Sequence, residues 1–294
     1  FNVLHARKFV KIKFEKIDIK KHIKPVVLIA GIIFLSSIYN KIDITMLNIM
    51  TTDEAVGYYT YAQKTVNMVL AMSNAITAAL LPRLSFYYEN NKQGFYSLLD
   101  KGFQILCFMA IPLAIGTAIV APQAVIVLYG KAFEPAALTI RLMCPLILIK
   151  GFGDLFCYQL VYSTKNEKII LPASAFASIT NIVANAVLIP LFLQNGAVVA
   201  SVFSELVTNS IQFVYMKHKI RFKIDLKAII KSLVSTLTMG VCVWFLVQMR
   251  LPNIVGLIVE VFSGIIIYIL LNYFMKNELL FEFVQKLKIK FCKN

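Results

Sequence analysis

The fold of this chain is decided by stretches such as residues 169–216, which read IILPASAFASITNIVANAVLIPLFLQNGAVVASVFSELVTNSIQFVYM. Apolar residues dominate on both sides of the turn at 195–197, and Glu205 is the only charged residue in the stretch. Each half has the roughly 20 residues that an α-helix needs to cross about 30 Å of bilayer hydrocarbon. The stretch therefore predicts two membrane-spanning helices joined by a short turn.

Six further stretches have the same character, and the chain as a whole is 59% hydrophobic, far above the roughly 45–50% that is typical of soluble domains. We therefore predict an all-α polytopic membrane protein with eight transmembrane helices. The predicted helices cover residues 25–50, 57–84, 102–121, 135–163, 169–191, 197–216, 228–249 and 252–275. Residues 124–129 are apolar but too short to span, so we expect a half-turn or interfacial helix that ends at Gly130.

Basic residues are distributed very unevenly across the predicted membrane. Of the 30 Lys and Arg residues, 24 fall on one side and only Lys131 and Arg250 on the other, while the remaining four lie within helices. The side richer in Lys and Arg is normally the cytoplasmic one, so we expect both termini in the cytoplasm. Residues 1–24 then form a basic cytoplasmic segment, and residues 277–294 form an amphipathic basic tail on the cytoplasmic surface.

The formal charge of +15 does not indicate a nucleic-acid partner, because the basic residues lie in short clusters between apolar stretches. That distribution fits the anionic inner leaflet of a membrane instead. The five cysteines show no disulfide, zinc or redox spacing, and no metal or cofactor is expected. The sequence begins at Phe1, which favours a chain with a truncated upstream portion.

Polar and ionisable side chains recur along one face of several predicted helices. A charge near the middle of a spanning helix costs about 2.5–3.5 kcal/mol on insertion scales, so each should face a neighbouring helix or a wet cavity. The simplest arrangement that accommodates them is a bundle around a central aqueous cleft. The candidate cavity residues are Lys41, Asp43, Lys64, Asn67, Asn74, Lys150, Asp154, Asn181, Asn185 and Glu205.

The spacing suggests ion pairs within this set. We expect Asp43 to pair with Lys64, and Lys150 to pair with either Asp154, one turn away, or Glu205. The Ser and Asn faces have an equally good alternative role as plain interhelical hydrogen-bond contacts.

Two other charged residues, Arg141 and Glu260, lie nearer the outer face of the membrane. We expect them to extend towards the membrane surface or to pair locally.

Several short segments resemble the second lobe of Wzx-type O-antigen flippases, within the multidrug, oligosaccharidyl-lipid and polysaccharide exporter superfamily. They are YNKIDITML at 39–47, VGYYTYA at 56–62, PRLS at 82–85, LYGKAF at 128–133 and NGA at 195–197. The resemblance implies a fold of two six-helix lobes and two added helices. Residues 25–219 then correspond to the second lobe and residues 220–276 to the added pair, and the first lobe is absent from this chain.

The resemblance also implies a function in a bacterial cytoplasmic membrane. The substrate would be a polyprenyl-pyrophosphate-linked oligosaccharide, which enters the cleft while its prenyl tail stays in lipid and the lobes alternate access. Lys41, Lys64, Lys150 and Arg141 would attract the pyrophosphate, whereas Asp43 and Glu205 would either carry coupling protons or hold those cations. A polysaccharide polymerase and a chain-length regulator are the partners that this role suggests.

Other functions compete with this one. A multidrug or metabolite exporter and a peptidoglycan lipid-precursor flippase would share the fold. A membrane glycosyltransferase or polymerase is disfavoured because the predicted outer loops hold few candidate catalytic groups, and a channel is disfavoured because no selectivity motif is found. The sequence therefore favours a transporter over an enzyme.

Overall fold

The computed structural model describes residues 19–220, 225–249, 253–282 and 285, and within this part the chain is almost entirely helical. Much of the predicted basic N-terminal segment and most of the predicted amphipathic tail therefore lie outside the described residues. The helices are α1 (Ile19–Met50), α2 (Asp53–Asn90), α3 (Lys92–Tyr129), α4 (Ala136–Ser163), α5 (170–192), α6 (194–217), α7 (Leu226–Gln248) and α8 (Asn253–Phe274).

Short polar side chains determine where these helices begin. The Thr52 side chain accepts a hydrogen bond from the Ala55 N–H at the start of α2, and Asp53 and Glu54 follow in the first turn. Asn91 separates α2 from α3 and accepts from the Gly94 N–H at 3.0 Å. Such caps satisfy N–H groups that the first helical turn leaves without partners, so the boundaries follow directly from the local sequence.

The lengths of the helices confirm the predicted membrane character. Among the described residues, six continuous helical segments are long and apolar enough to cross a membrane, and one of them runs from Glu167 to Lys217. That segment reverses direction at Leu193, which has non-helical angles of φ 50° and ψ −132°, and so supplies two spans. With α1, the structure contains the eight predicted helices.

A hydrogen bond between distant residues shows that α5 and α6 form a hairpin. Asn181 Nδ2 lies 3.4 Å from Ser204 Oγ, although a straight helix would separate the two residues by about 35 Å. The turn needs Gly196, because a Cβ atom there would lie 2.1 Å from the carbonyl oxygen of Leu188. The predicted turn at 195–197 is confirmed.

The prediction that the third helix stops at Ala121 is wrong. Helix α3 continues through Pro122 and ends at Gly130, so residues 124–129 are its last turns and not a separate interfacial piece. Proline removes one backbone donor, which leaves the carbonyl of Ala118 without its helical partner. Arg141 of α4 supplies a replacement, because its Nε donates to that carbonyl at 3.1 Å.

Helix α4 contains a π-helical segment, Asp154–Gln159, in its C-terminal half. Helix α6 packs closely against α4 just before this segment. Asn209 Nδ2 of α6 donates a hydrogen bond to the carbonyl of Ile149 at 2.9 Å. Gly153 permits this approach, since a Cβ atom there would lie 2.2 Å from Asn209 Nδ2.

The helices pack around three apolar clusters. One, around Leu47 and Ile140, buries side chains of α1 to α6, and a second, around Leu84 and Leu160, buries side chains of α2 to α6. The third lies where α7 and α8 contact α3, around Met239, Val243 and Tyr268. The first six helices therefore form one bundle, and α7 and α8 attach to it through α3.

Candidate functional site: a buried carboxylate beside a polar cleft

Asp43 is the central residue of the site. It lies on α1, is 5% exposed, and accepts hydrogen bonds from three other helices. Ser201 Oγ on α6 and the Tyr59 hydroxyl on α2 donate to Oδ2 at 2.5 and 2.7 Å, and Asn185 Nδ2 on α5 donates to Oδ1 at 2.7 Å. Hydrogen bonds to a charged group contribute about 1.5–3 kcal/mol each, so these three donors can hold an ionised carboxylate in the membrane interior.

The hydrogen bonds continue from Asn185 along the α5–α6 interface. Asn185 Nδ2 also lies 3.1 Å from Asn181 Oδ1, and Asn181 Nδ2 faces Ser204 Oγ of α6. Both asparagines are fully or almost fully buried. The polar face predicted on α5 therefore contacts the other helices of the bundle and not lipid.

A cleft of about 450 Å³ adjoins the carboxylate. It lies between α1, α2, α4 and α6 and has both polar and apolar walls. Its lining residues are Asp43, Tyr59, Gln63, Val66, Asn67, Leu70, Met143, Leu146, Lys150 and Ser201. A concave site with both apolar and polar walls is typical of places where proteins bind a ligand.

Lys150 is the cation of the cleft. Its ammonium lies 3.7 Å from the Glu205 carboxylate of α6, and the two side chains are 33% and 16% exposed. Of the two predicted partners of Lys150, the structure selects Glu205. Asp154 instead accepts a hydrogen bond from Gln159 Nε2 at 3.3 Å.

Other predicted cavity residues lie elsewhere. Lys64 is exposed on α2, where its ammonium lies 4.9 Å from the centroid of the Tyr61 ring, so the predicted Asp43–Lys64 ion pair is wrong. Lys41 and Asn74 are also exposed, and within the described residues neither lines the cleft. Asn67 is exposed but does line it.

The two charged residues that the sequence predicts nearer the outer face, Arg141 and Glu260, behave differently from each other. Arg141 is exposed and bonds locally to the carbonyl of Ala118, as expected. Glu260 is fully buried, and within the described part of the chain neither of its carboxylate oxygens has a hydrogen-bond partner. The expectation that Glu260 extends to the surface or pairs locally is therefore wrong.

Tyr59 is a functional candidate that the sequence prediction missed. Helical spacing places Ser201 on the same polar face of α6 as Glu205, but Ser201 was not among the predicted cavity residues. Tyr59 gives no such signal, because tyrosine is common in apolar helix faces and only the fold brings its hydroxyl to Asp43.

Eight helices, apolar outside and converging on buried polar groups beside a cleft, define a multi-pass membrane protein with a polar site in its interior. The sequence profile of the lipid II flippase MurJ matches residues 3–265, so the chain belongs to this family. The family is named for a flippase, and the curated relatives are described as probable flippases.

Individual relatives agree with this assignment. A probable low-salt glycan biosynthesis flippase, Agl15 of Haloferax volcanii, is 22% identical over 78% of this chain and 49% of its own length. The probable flippase AglR of the same organism is 23% identical over 56% of this chain and 35% of its own. The chain thus spans about half or less of the curated relatives that it matches.

A solved structure shows the same fold. The lipid II flippase MurJ in an inward closed conformation superposes with a TM-score of 0.75 and 14% identity, over 94% of this chain and 59% of the other. The exporter-type fold expected from the sequence is confirmed.

Proposed function

We propose that this chain is the second lobe, with two added helices, of a flippase that moves a polyprenyl-pyrophosphate-linked oligosaccharide across the bacterial cytoplasmic membrane. Membership of the MurJ family supports a lipid-linked sugar as cargo. The name of the relative Agl15, a glycan biosynthesis flippase, favours an oligosaccharide such as an O-antigen or another surface polysaccharide repeat unit. Because the matched relatives are longer, a further lobe would complete the transport pathway.

The observation that carries the proposal is the position of Lys150 at the cleft. Its ammonium is only partly buried and lies 3.7 Å from Glu205, a longer separation than the 2.7–2.9 Å of a strong charge-assisted hydrogen bond. It can therefore turn to a phosphate oxygen that enters the cleft. Glu205 would offset the charge of Lys150 while the cleft is empty. When cargo binds, the pyrophosphate would replace Glu205 as the partner of Lys150.

Asp43 is the candidate for coupling. The three donors that hold it come from α2, α5 and α6, so a change in its protonation would alter contacts between four helices at once. It would then carry a coupling proton, while Glu205 would serve mainly to hold Lys150. In this scheme both termini face the cytoplasm, and a polymerase and a chain-length regulator would act on the product at the outer face.

A second cargo is lipid II, the peptidoglycan precursor. The name of the matched family favours it, and its pyrophosphate would meet the same lysine. The two cargoes share the pyrophosphate, so the contact with Lys150 favours neither of them.

A flipping assay tests the proposal and separates the two cargoes. The protein would be expressed with any coding sequence that adjoins this chain and reconstituted into liposomes. The liposomes would contain either a fluorescent polyprenyl-pyrophosphate oligosaccharide or fluorescent lipid II. We expect faster transfer of the oligosaccharide lipid, and slower transfer by Lys150→Gln.

The matched control in this assay is Lys131→Gln, a change outside the cleft that should leave the rate unaltered. Faster transfer of lipid II would select the second cargo. Transfer of neither lipid would refute the proposed function.

A further inference from the structure

Glu260 is a buried acid that does not line the cleft. It lies on α8, eight residues into a helix of 22, and is 0% exposed. By helix geometry it is about 10 Å from the start of the helix, so it lies within the apolar span. Within the described residues, both of its carboxylate oxygens are without hydrogen-bond partners.

The helices that pack against α8 offer this carboxyl no counter-charge. Helix α8 packs on α7 and α3. The charged residues of these two helices all lie near their cytoplasmic ends, whereas Glu260 is nearer the outer end of α8. These residues are Lys227 and Lys231 on α7, and Lys92, Asp100 and Lys101 on α3.

The uncharged titratable groups of these helices do not donate a hydrogen bond to the Glu260 carboxyl either. Tyr268 of α8 donates its hydroxyl proton to the carbonyl of Phe108, two turns further along the helix from Glu260. Cys107 and Cys242 are free thiols, and neither provides a hydrogen bond to Glu260. The nearby turn of α8 is packed tightly, since a Cβ atom at Gly264 would lie 3.2 Å from Val243 Cγ2.

Among the described residues, Arg141 of α4 contacts α3 at Ala118, which is also towards the C-terminal end of α3. It is committed to the carbonyl of Ala118, and no ion pair within 4 Å joins it to Glu260 in the described part of the chain. An ionised carboxylate in this position would face apolar surroundings without a donor. Burying an unpaired charge is far more costly than burying a neutral acid, so a carboxyl in such a place takes up a proton.

We propose that Glu260 is a proton-binding site in the α7–α8 pair. It holds a proton while α8 is packed on α3 and α7, and it ionises only when that packing opens. This site is separate from the Asp43 cluster, and it stands on the geometry of α3, α7 and α8 irrespective of the cargo. It would make the packing of the added helices sensitive to pH.

Infrared difference spectroscopy on the membrane-reconstituted protein tests this directly. The carbonyl stretch of an un-ionised carboxylic acid is separate from the bands of a carboxylate. The difference between wild type and Glu260→Gln at pH 7 should contain the un-ionised band. The matched control is Glu54→Gln, which alters an exposed acid in the first turn of α2 and should give carboxylate bands only.

Thermal unfolding supplies a second readout. A proton held by the folded state and released on unfolding makes stability fall as pH rises, by up to about tenfold in the folded-to-unfolded ratio per pH unit. Wild type should therefore lose stability relative to Glu260→Gln as the pH rises above about 4.3, the usual pKa of a glutamate in an unfolded chain. Glutamine keeps the shape of the neutral acid, so this variant should fold.

Two results would overturn the proposal. One is a carboxylate signal from Glu260 at pH 7 together with a stability difference that does not change with pH. The other is an un-ionised band that is absent from wild type and emerges only in Arg141→Gln, because Arg141 would then be the normal partner of an ionised Glu260.

Discussion

Asn185 donates a hydrogen bond to Asp43 over 2.7 Å, although 142 residues separate them in the chain. The contact joins the first helix of the bundle to the α5–α6 hairpin. Ser201, on the other arm of the hairpin, donates to the other oxygen of the same carboxylate. A single acid therefore holds both arms of the hairpin against α1.

Replacing this acid should destabilise the bundle as well as abolish transport. In Asp43→Ala, the donors on Tyr59, Ser201 and Asn185 lose their acceptor, and each charged hydrogen bond is worth about 1.5–3 kcal/mol. We expect a large fall in the melting temperature of the detergent-solubilised protein. The control is Asp53→Ala, an exposed acid in the first turn of α2, which should change it little. Equal effects of the two variants would contradict the role of Asp43.

The Lys150–Glu205 pair should behave as a coupled unit. Lys150→Gln removes the ammonium that faces the largely buried Glu205 carboxylate, and Glu205→Gln removes the negative charge that faces the ammonium. Each single change should lower stability, and the double change should recover part of the loss, with a coupling of at least about 0.5 kcal/mol. A double-mutant cycle by thermal unfolding measures this.

The exposed Lys165–Glu89 pair provides the comparison cycle. Both side chains of this pair are exposed to solvent, so its coupling free energy should be smaller than that of Lys150 and Glu205. Strictly additive losses at Lys150 and Glu205 would show that the pair is not direct.

The residues of the cleft should be accessible to water in the intact membrane. With the five native cysteines replaced, a cysteine at Asn67 should react with a water-soluble thiol reagent, because Asn67 lines the cleft and is exposed. A cysteine at Ile179, an exposed apolar position on α5, should not react if that face contacts lipid. Similar reactivity at both positions would argue against a wet cleft confined to this side of the bundle.

Much of the fold follows from the sequence because membrane crossing requires length and apolarity, both of which can be read locally. The α5–α6 hairpin was predicted in this way, and Glu205 was one of the two partners that helix order and spacing predicted for Lys150. Spacing on one helix also shows correctly that Asn181 and Asn185 share a face. These successes depend on relationships within a helix or between neighbouring helices.

The failures have a common physical cause. Helical spacing shows which residues share a face, but it does not fix the rotation of that face relative to other helices. Lys64 and Asn67 are both on α2, yet only Asn67 reaches the cleft, and Asp43 is held by Tyr59 instead of Lys64. Proline at 122 was interpreted as a helix end because its compensating donor, Arg141, lies on another helix.

The N-terminal cap of α7, Asp225, should make stability depend on pH in the acidic range. Burial alone would raise the pKa of Asp225, but hydrogen bonds from Gln104 and from the backbone N–H groups of Ala228 and Lys227, with the charge of Lys227, lower it below its usual 3.8. A lowered pKa in the folded state gives stabilisation that is present above the unfolded pKa and is lost as pH falls through the folded pKa.

Asp225→Ala should therefore cost about 0.5–2 kcal/mol at pH 7, as is usual for loss of a helix cap. The stability difference between wild type and Asp225→Ala should shrink as the pH falls below about 4 and through the lowered pKa of the folded state, because the wild-type carboxylate then takes up a proton and loses its charge. Melting temperatures of the two proteins across a pH series give the comparison. A difference that stays constant down to pH 2 would show that the charge of Asp225 does not contribute.

The attachment of α8 to the bundle depends on a proline in α3. Pro112 has no N–H, so the carbonyl of Phe108 lacks its helical donor, and the Tyr268 hydroxyl of α8 donates to it at 2.8 Å. In a membrane, where water cannot serve as a substitute, such a freed carbonyl has to be satisfied by a neighbouring helix. Tyr268→Phe should therefore cost about 1–3 kcal/mol, the usual range for a buried polar group left unpaired.

The same argument makes Pro112→Ala a specific suppressor. Alanine restores the backbone donor to Phe108, so in the Pro112→Ala background the additional cost of Tyr268→Phe should largely disappear. Tyr273→Phe, at an exposed position on the same helix, should have little effect in either background. If Tyr268→Phe costs the same with proline or alanine at 112, the phenol acts through packing and not through the freed carbonyl, since only the hydrogen bond depends on the missing N–H.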